Sequence, residues 1–132
     1  MVTSLNNQPA YTDFLYEAEQ ILIGTLTNAS GTTTTIGGLP AGAMVTGIVV
    51  VVSTLFNGTT PTITVGIIDA SGAATATYYV SSGTSLAAAG VIASTLAATA
   101  LPLATNSSVT VTRSETGSSA GAAKVIVRFV GP

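Results

Sequence analysis

The sequence predicts an all-β fold: an antiparallel β-sandwich of about eight short strands, preceded by an extended N-terminal arm. Two observations carry the prediction. Runs of β-branched residues recur along the chain, broken by Gly, Ser and Asn at roughly 8–12-residue spacing, which is the pattern of a sandwich or barrel. The chain is 47% apolar yet only 5% aromatic, so its core must be built from short aliphatic strands. No fixed-period repeat appears, which sets a solenoid aside. At 132 residues the chain fits one domain, able to bury roughly two thirds of its unfolded surface without disulfides or metals.

The arm is residues 1–16, "MVTSLNNQPAYTDFLY". Pro9 opposes an early helix. Tyr11, Phe14 and Tyr16 are its candidate interaction residues, aromatic anchors for a neighbouring subunit. A frayed terminus is the plainer alternative. The sandwich domain is residues 17–132. "EAEQILIGTLTN" alternates, with Ile21, Ile23 and Thr25 on one face and Leu22, Gly24 and Leu26 on the other. "TTTTI" is a Thr-rich strand suited to a pleated surface, and "GGLPAGA" is a loop by its Gly and Pro. "MVTGIVVVVSTLF" is the strongest strand. Both its faces are apolar, so both are expected to be covered, one by the sandwich and the other by the chain itself or a neighbour. Val50 and Val52 are its candidate interaction residues. Asn57-Gly58 then predicts a hairpin turn into "TITVGIID", with Ile63, Val65 and Ile67 inward. "ATATYYV" is a further strand. The Ala-rich stretch from Leu86 to Leu103 predicts a loop and a strand near Ile92–Leu101, with room for a helical turn at Leu86–Ala89. "NSSVTVTRSE" points Val109 and Val111 inward. "AKVIVRFV" points Val125, Val127 and Phe129 inward and Lys124, Ile126 and Arg128 outward. At this length a two-sheet jelly roll is the natural closure.

Composition excludes several function classes. Charged residues are 6% of the chain, against about 25% in an ordinary soluble domain. So little charge gives little protection against association, and the expected partner is first of all another copy of the chain. The three basic residues, Arg113, Lys124 and Arg128, are too few for nucleic acid. No apolar run reaches the roughly 18–20 residues of a membrane span. Residues 1–20 lack a basic start and an apolar core, so no secretion signal is expected. The sequons at Asn28, Asn57 and Asn106 fall at turns, where Asn is expected anyway.

No catalytic, cofactor or metal residues are predicted, and the chain is not expected to be an enzyme. There is no His to serve as base for a nucleophile, and no Cys. Glu17 and Glu19 share a strand face, but no Trp lines a sugar cleft beside them. Lys124 follows a Gly-rich stretch without the spacing of a phosphate loop. Asp69 is more simply a turn residue than a cation ligand.

The run from Ile21 to Asp69 resembles a class of small structural proteins of tailed bacteriophages, the head decoration or cement proteins. The likeness lies in the "LPAGA-V" loop before a valine strand, in "T-FNG", in "TITVG", and in a closing "TG-SAG-A-V-V-FV" matched by Thr116 to Val130. The usual "VGD" stands here as "VGIID", which removes any role tied to an acid directly after that Gly. The resemblance implies a jelly-roll domain, a homotrimer, the major capsid protein as partner, and a place on the capsid surface of the virion. It implies a function in stabilising capsomer contacts, with no cofactor. The alternative is a tail-fibre, head-fibre or baseplate domain that binds a host receptor or glycan, with Tyr79 stacking on the sugar. Thr-rich strands also raise an ice-binding surface, which Thr's strand preference explains more simply.

Overall fold

The computed structural model describes residues 19–132. The arm and its candidates Tyr11, Phe14 and Tyr16 lie outside the described residues. Eight strands follow: β1 (Glu19–Thr27), β2 (Thr33–Leu39), β3 (Met44–Thr54), β4 (Thr59–Asp69), β5 (Ala74–Ser85), β6 (Gly90–Ser94), β7 (Ser107–Thr116) and β8 (Ala122–Val130). They form two four-stranded sheets. The front sheet has the order β1-β8-β3-β6 and the back sheet β2-β7-β4-β5. Every pair is antiparallel. The chain changes sheet at every connection except β4–β5, so its two halves wind around each other. That interleaving is the jelly roll, and it fulfils the expected fold class.

The strands form where alternation lets one side be buried. In β8, Ala123, Val125, Val127 and Phe129 enter the core while Lys124 and Arg128 stay exposed. Ile48, Val50 and Val52 of β3 meet Ile63, Val65 and Ile67 of β4 and Val109 and Val111 of β7 across the sandwich. Each such side chain contributes roughly 1.5–3 kcal/mol relative to leaving it in water.

Three expectations are corrected. β3 and β4 are not a hairpin, because they lie in different sheets. Each finds its partners elsewhere: β3 pairs β8 and β6, and β4 pairs β7 and β5. Asn57 therefore sets no hairpin register. Its Oδ1 accepts from the amides of Ser119 (2.9 Å) and Ala120 (3.1 Å), and its Nδ2 donates to Ser119 Oγ (3.0 Å). It pins the β3–β4 crossing to the β7–β8 loop. The Ala-rich stretch is also different. Residues 87–88 make a bend rather than a helical turn, and the strand there is Gly90–Ser94. Residues 95–106 then run as a loop along the edge of β5, held by Ala97 N to Tyr79 O (2.8 Å) and by the Tyr78 hydroxyl to Leu101 O (3.2 Å). These tertiary bonds hold the alanines in an irregular path despite their helix propensity.

The end of the sandwich that carries the β1–β2, β3–β4 and β7–β8 loops is closed by Arg113. Its guanidinium donates to the carbonyls of Thr27 (2.7 Å), Ser30 (2.9 Å) and Asn28 (3.2 Å). It also faces Glu115 at 3.0 Å and lies 5.4 Å from the centre of the Phe56 ring. One of the three basic residues is thus committed to holding a loop.

Candidate interaction surface

The inner faces of the two sheets are alike, but the outer faces are not. On the front sheet, register places Ile23 beside Ile126, Ile126 beside Val49, and Val49 beside Ala93. The next row runs Thr25, Lys124, Val51 and Val91, and the row on the other side runs Ile21, Arg128 and Gly47. Directly opposite residues on one face bring their Cβ atoms to about 5 Å. Ile21, Ile23, Ile126, Val49, Val51 and Val91 therefore make one apolar field across four strands. Ile21 and Ile23 are about half exposed (54% and 50%), and Val91 is 74% exposed. A continuous apolar patch of this kind marks an interaction surface more often than bare solvent-facing protein.

The cations sit within this field. Lys124 and Arg128 flank Ile126 on β8, and both side chains are exposed. Arg128 lies flat across the sheet over Gly47, where an added Cβ would come within 2.5 Å of the guanidinium. Gly47 is thus the trough that lets Arg128 lie down.

The outer face of the back sheet is hydroxylated. Thr33 pairs with Thr112, and Thr112 with Thr64; Thr35 pairs with Thr110, and Thr62 with Ser114. The threonines do share rows, but they do not make a flat array. The backbone of Thr75 and Ala76 lies over Gly66, which tolerates this approach only because it has no Cβ. Thr110, the neighbour of Gly66, is buried in consequence.

The candidate residues fall as follows. Val50 (0% exposed), Val52 (2%) and Tyr79 (0%) all lie inside the sandwich. They build the core. The outward apolar residues of β3 are their neighbours, the half-buried Val49 and Val51, on the other side of the strand. Tyr79 stacks edge-on with Tyr78 at 4.9 Å and 86°, and its hydroxyl finds no partner among the described residues. Burial pushes its phenol well above the ordinary tyrosine pKa, with Tyr78 adding to the shift. A glycan cannot reach that ring, so the receptor-binding alternative loses its aromatic anchor. Asp69 is a turn residue: its Oδ1 accepts from Ser71 Oγ (2.6 Å), Ser71 N (2.9 Å) and Ala73 N (3.0 Å). The signal for the surface was in the sequence, as aliphatic residues on both faces of β1 and valines on both faces of β3. The pairing that joins them was not.

The topology defines an eight-stranded jelly roll, and the same architecture occurs in phage capsids. A chain in the acid-stable capsid structure of Helicobacter pylori bacteriophage KHP30 aligns with a TM-score of 0.64 at 17% identity, over 87% of this chain and 89% of that one. A chain in the capsid of Ralstonia phage GP4 aligns at 0.61 and 22% identity, over 87% and 84%. A chain in the capsid asymmetric unit of cyanophage Pam1 aligns at 0.52 and 25% identity, over 86% and 85%. No protein-family model and no curated protein sequence matches the chain.

Proposed function

We propose that the chain is a structural protein of a tailed-phage virion, a decoration or cement protein that binds the outer capsid as a homotrimer and stabilises contacts between capsomers. The observation that carries this reading is the likeness, over 86–87% of the chain, to chains in three phage capsid structures. The apolar outer face of the front sheet supports it, because such a face gains stability when a partner removes it from water. The partners in this reading are other copies of the chain and the major capsid protein. Its work is done by buried β surface and involves no reaction.

Adding the purified chain to capsids that lack it tests the reading. The chain should co-sediment with the capsids at a stoichiometry divisible by three and raise the temperature at which they come apart. Capsids that neither bind it nor gain heat resistance would rule out the cement role.

A further inference from the structure

A partner that covers the front sheet also covers its charges. Lys124 and Arg128 are exposed on the outer face of β8, on either side of Ile126. As alternate residues of one strand the three share a face, and the two cations stand about 13 Å apart. Neither meets a carboxylate among the described residues, where Arg113–Glu115 is the one ion pair. Glu19, the one described acid on the same face, stands at its rim level with Val130 and accepts the hydroxyl of Thr46. Burying an ammonium and a guanidinium without counter-charge is costly. A partner of this face therefore gains by bringing carboxylates with it.

The sandwich of a second copy does not supply them. Face to face, two front sheets would set two cations against two cations, with one glutamate on each side. The other described acids are Asp69 and Glu115, at opposite ends of the β4–β7 pair. Asp69 is engaged within its own turn, and Glu115 is buried against Arg113. Arg128, meanwhile, is already set for a contact. Its guanidinium lies over Gly47, where an added Cβ would meet Nη2 at 2.5 Å and both Cζ and Nε at 3.2 Å. A glycine inside a strand weakens it and marks a close approach. An arginine that only reached into water would need no such trough.

We propose that the outer face of the front sheet docks on an acidic, apolar patch of a different virion protein, the major capsid protein, with one carboxylate on Arg128, a second on Lys124 and an apolar side chain on Ile126 between them. The inference rests on the cement reading above and names the chemistry of the surface to which the chain binds. The first carboxylate takes the edge of the Arg128 guanidinium in a forked pair, while Lys124 holds the second as a point charge on a flexible stem. The apolar field around them keeps water out and strengthens both pairs. Little of Arg128's freedom remains to be lost on binding, because Gly47 already lets it lie flat. Two ion pairs also fix the direction in which the chain lies on the capsid, which apolar contact alone does not.

Co-sedimentation of the full-length chain with capsids assembled from the major capsid protein alone tests this, at about 0.05 M and about 0.5 M salt. The wild type should bind several-fold more weakly at the higher salt. K124Q/R128Q should bind roughly tenfold more weakly than the wild type at low salt and lose the salt dependence. Gly47→Ala keeps both charges and removes a glycine from a strand, so the sandwich should melt no lower. By lifting Arg128 it should weaken binding about threefold and keep the salt dependence. Circular dichroism melts check the fold of each variant, which the exposed positions of Lys124 and Arg128 should leave unchanged. Wild-type binding by K124Q/R128Q at both salts, or by Gly47→Ala, would overturn this contact and leave the cement role standing. A K124Q/R128Q chain that falls from an oligomer to 13.0 kDa in light scattering would overturn it by giving the cations to a second copy. Capsids that bind no chain at either salt would overturn the contact and the cement role together.

Discussion

The outer faces of the two sheets are built on similar strands and carry opposite chemistry. On the back sheet, Thr33, Thr112 and Thr64 meet water with hydroxyls. On the front sheet, the equivalent central row is Ile23, Ile126 and Val49. Folding needs only the inner faces, which are aliphatic in both sheets. The outer faces are free to be set by what lies against them. Threonine gives a strand former that water accepts. Isoleucine and valine on the front sheet pair across strands but stay partly in water, and leave roughly 25 cal/mol per Å² to be gained when a partner covers them. The difference gives one side of the molecule a surface that suits water and the other a surface that gains from being covered.

The largest effects should come from testing the two sides of one strand. Val50→Asp places a carboxylate in the core at a cost of several kcal/mol, a large part of the 5–15 kcal/mol available to a domain, and urea titration should find the chain unfolded or nearly so. Val49→Asp, one residue away on the outer face, should change stability by about 1 kcal/mol or less and abolish co-sedimentation with capsids. Thr64→Asp on the back sheet should do neither. If Thr64→Asp blocks binding and Val49→Asp does not, the faces have been assigned the wrong way round.

Smaller effects concern the ends of the sandwich and its core. Asn57→Ala removes four side-chain hydrogen bonds that join the β3–β4 crossing to the β7–β8 loop, and should lower stability by about 1–2 kcal/mol in urea melts. Tyr79→Phe removes a buried hydroxyl with no partner among the described residues. It should leave stability unchanged or raise it by up to about 1 kcal/mol. The smallest effect is at Asp69. The Ser71 hydroxyl and then the Ala73 amide hold its carboxyl below the ordinary value of 3.8. A lowered folded-state pKa gives a contribution that is present above 3.8 and is lost as pH falls through the lower folded value. The Ser71 and Ala73 amide resonances should therefore hold steady at neutral and mildly acidic pH and move only below the ordinary carboxylate range.

Local patterns in the sequence revealed much of this architecture. Alternation in "VTVT" and "KVIVRFV" assigned Val109, Val111, Val125, Val127 and Phe129 to the core, where they lie. Long-range pairing was hidden. Asn57-Gly58 has the chemistry of a hairpin turn, but nothing local to it reveals that β3 finds β8 some seventy residues on. The same blindness hid the surface. Val50 and Val52 look no different from Val49 and Val51 in a run of four valines, and only the sheet partners decide which pair faces the core. Lys124 and Arg128 were legible as outward residues, but their place in an apolar field required the pairing of β8 with β1 and β3.

A density map of the native particle that resolves this chain tests the central claim most directly. The account predicts the chain on the outer capsid, with Ile23, Val49 and Ile126 buried against a neighbour and Thr33, Thr112 and Thr64 turned to solvent. A chain found with the isoleucine face open to water and the threonine face buried, or found in the tail, would contradict it.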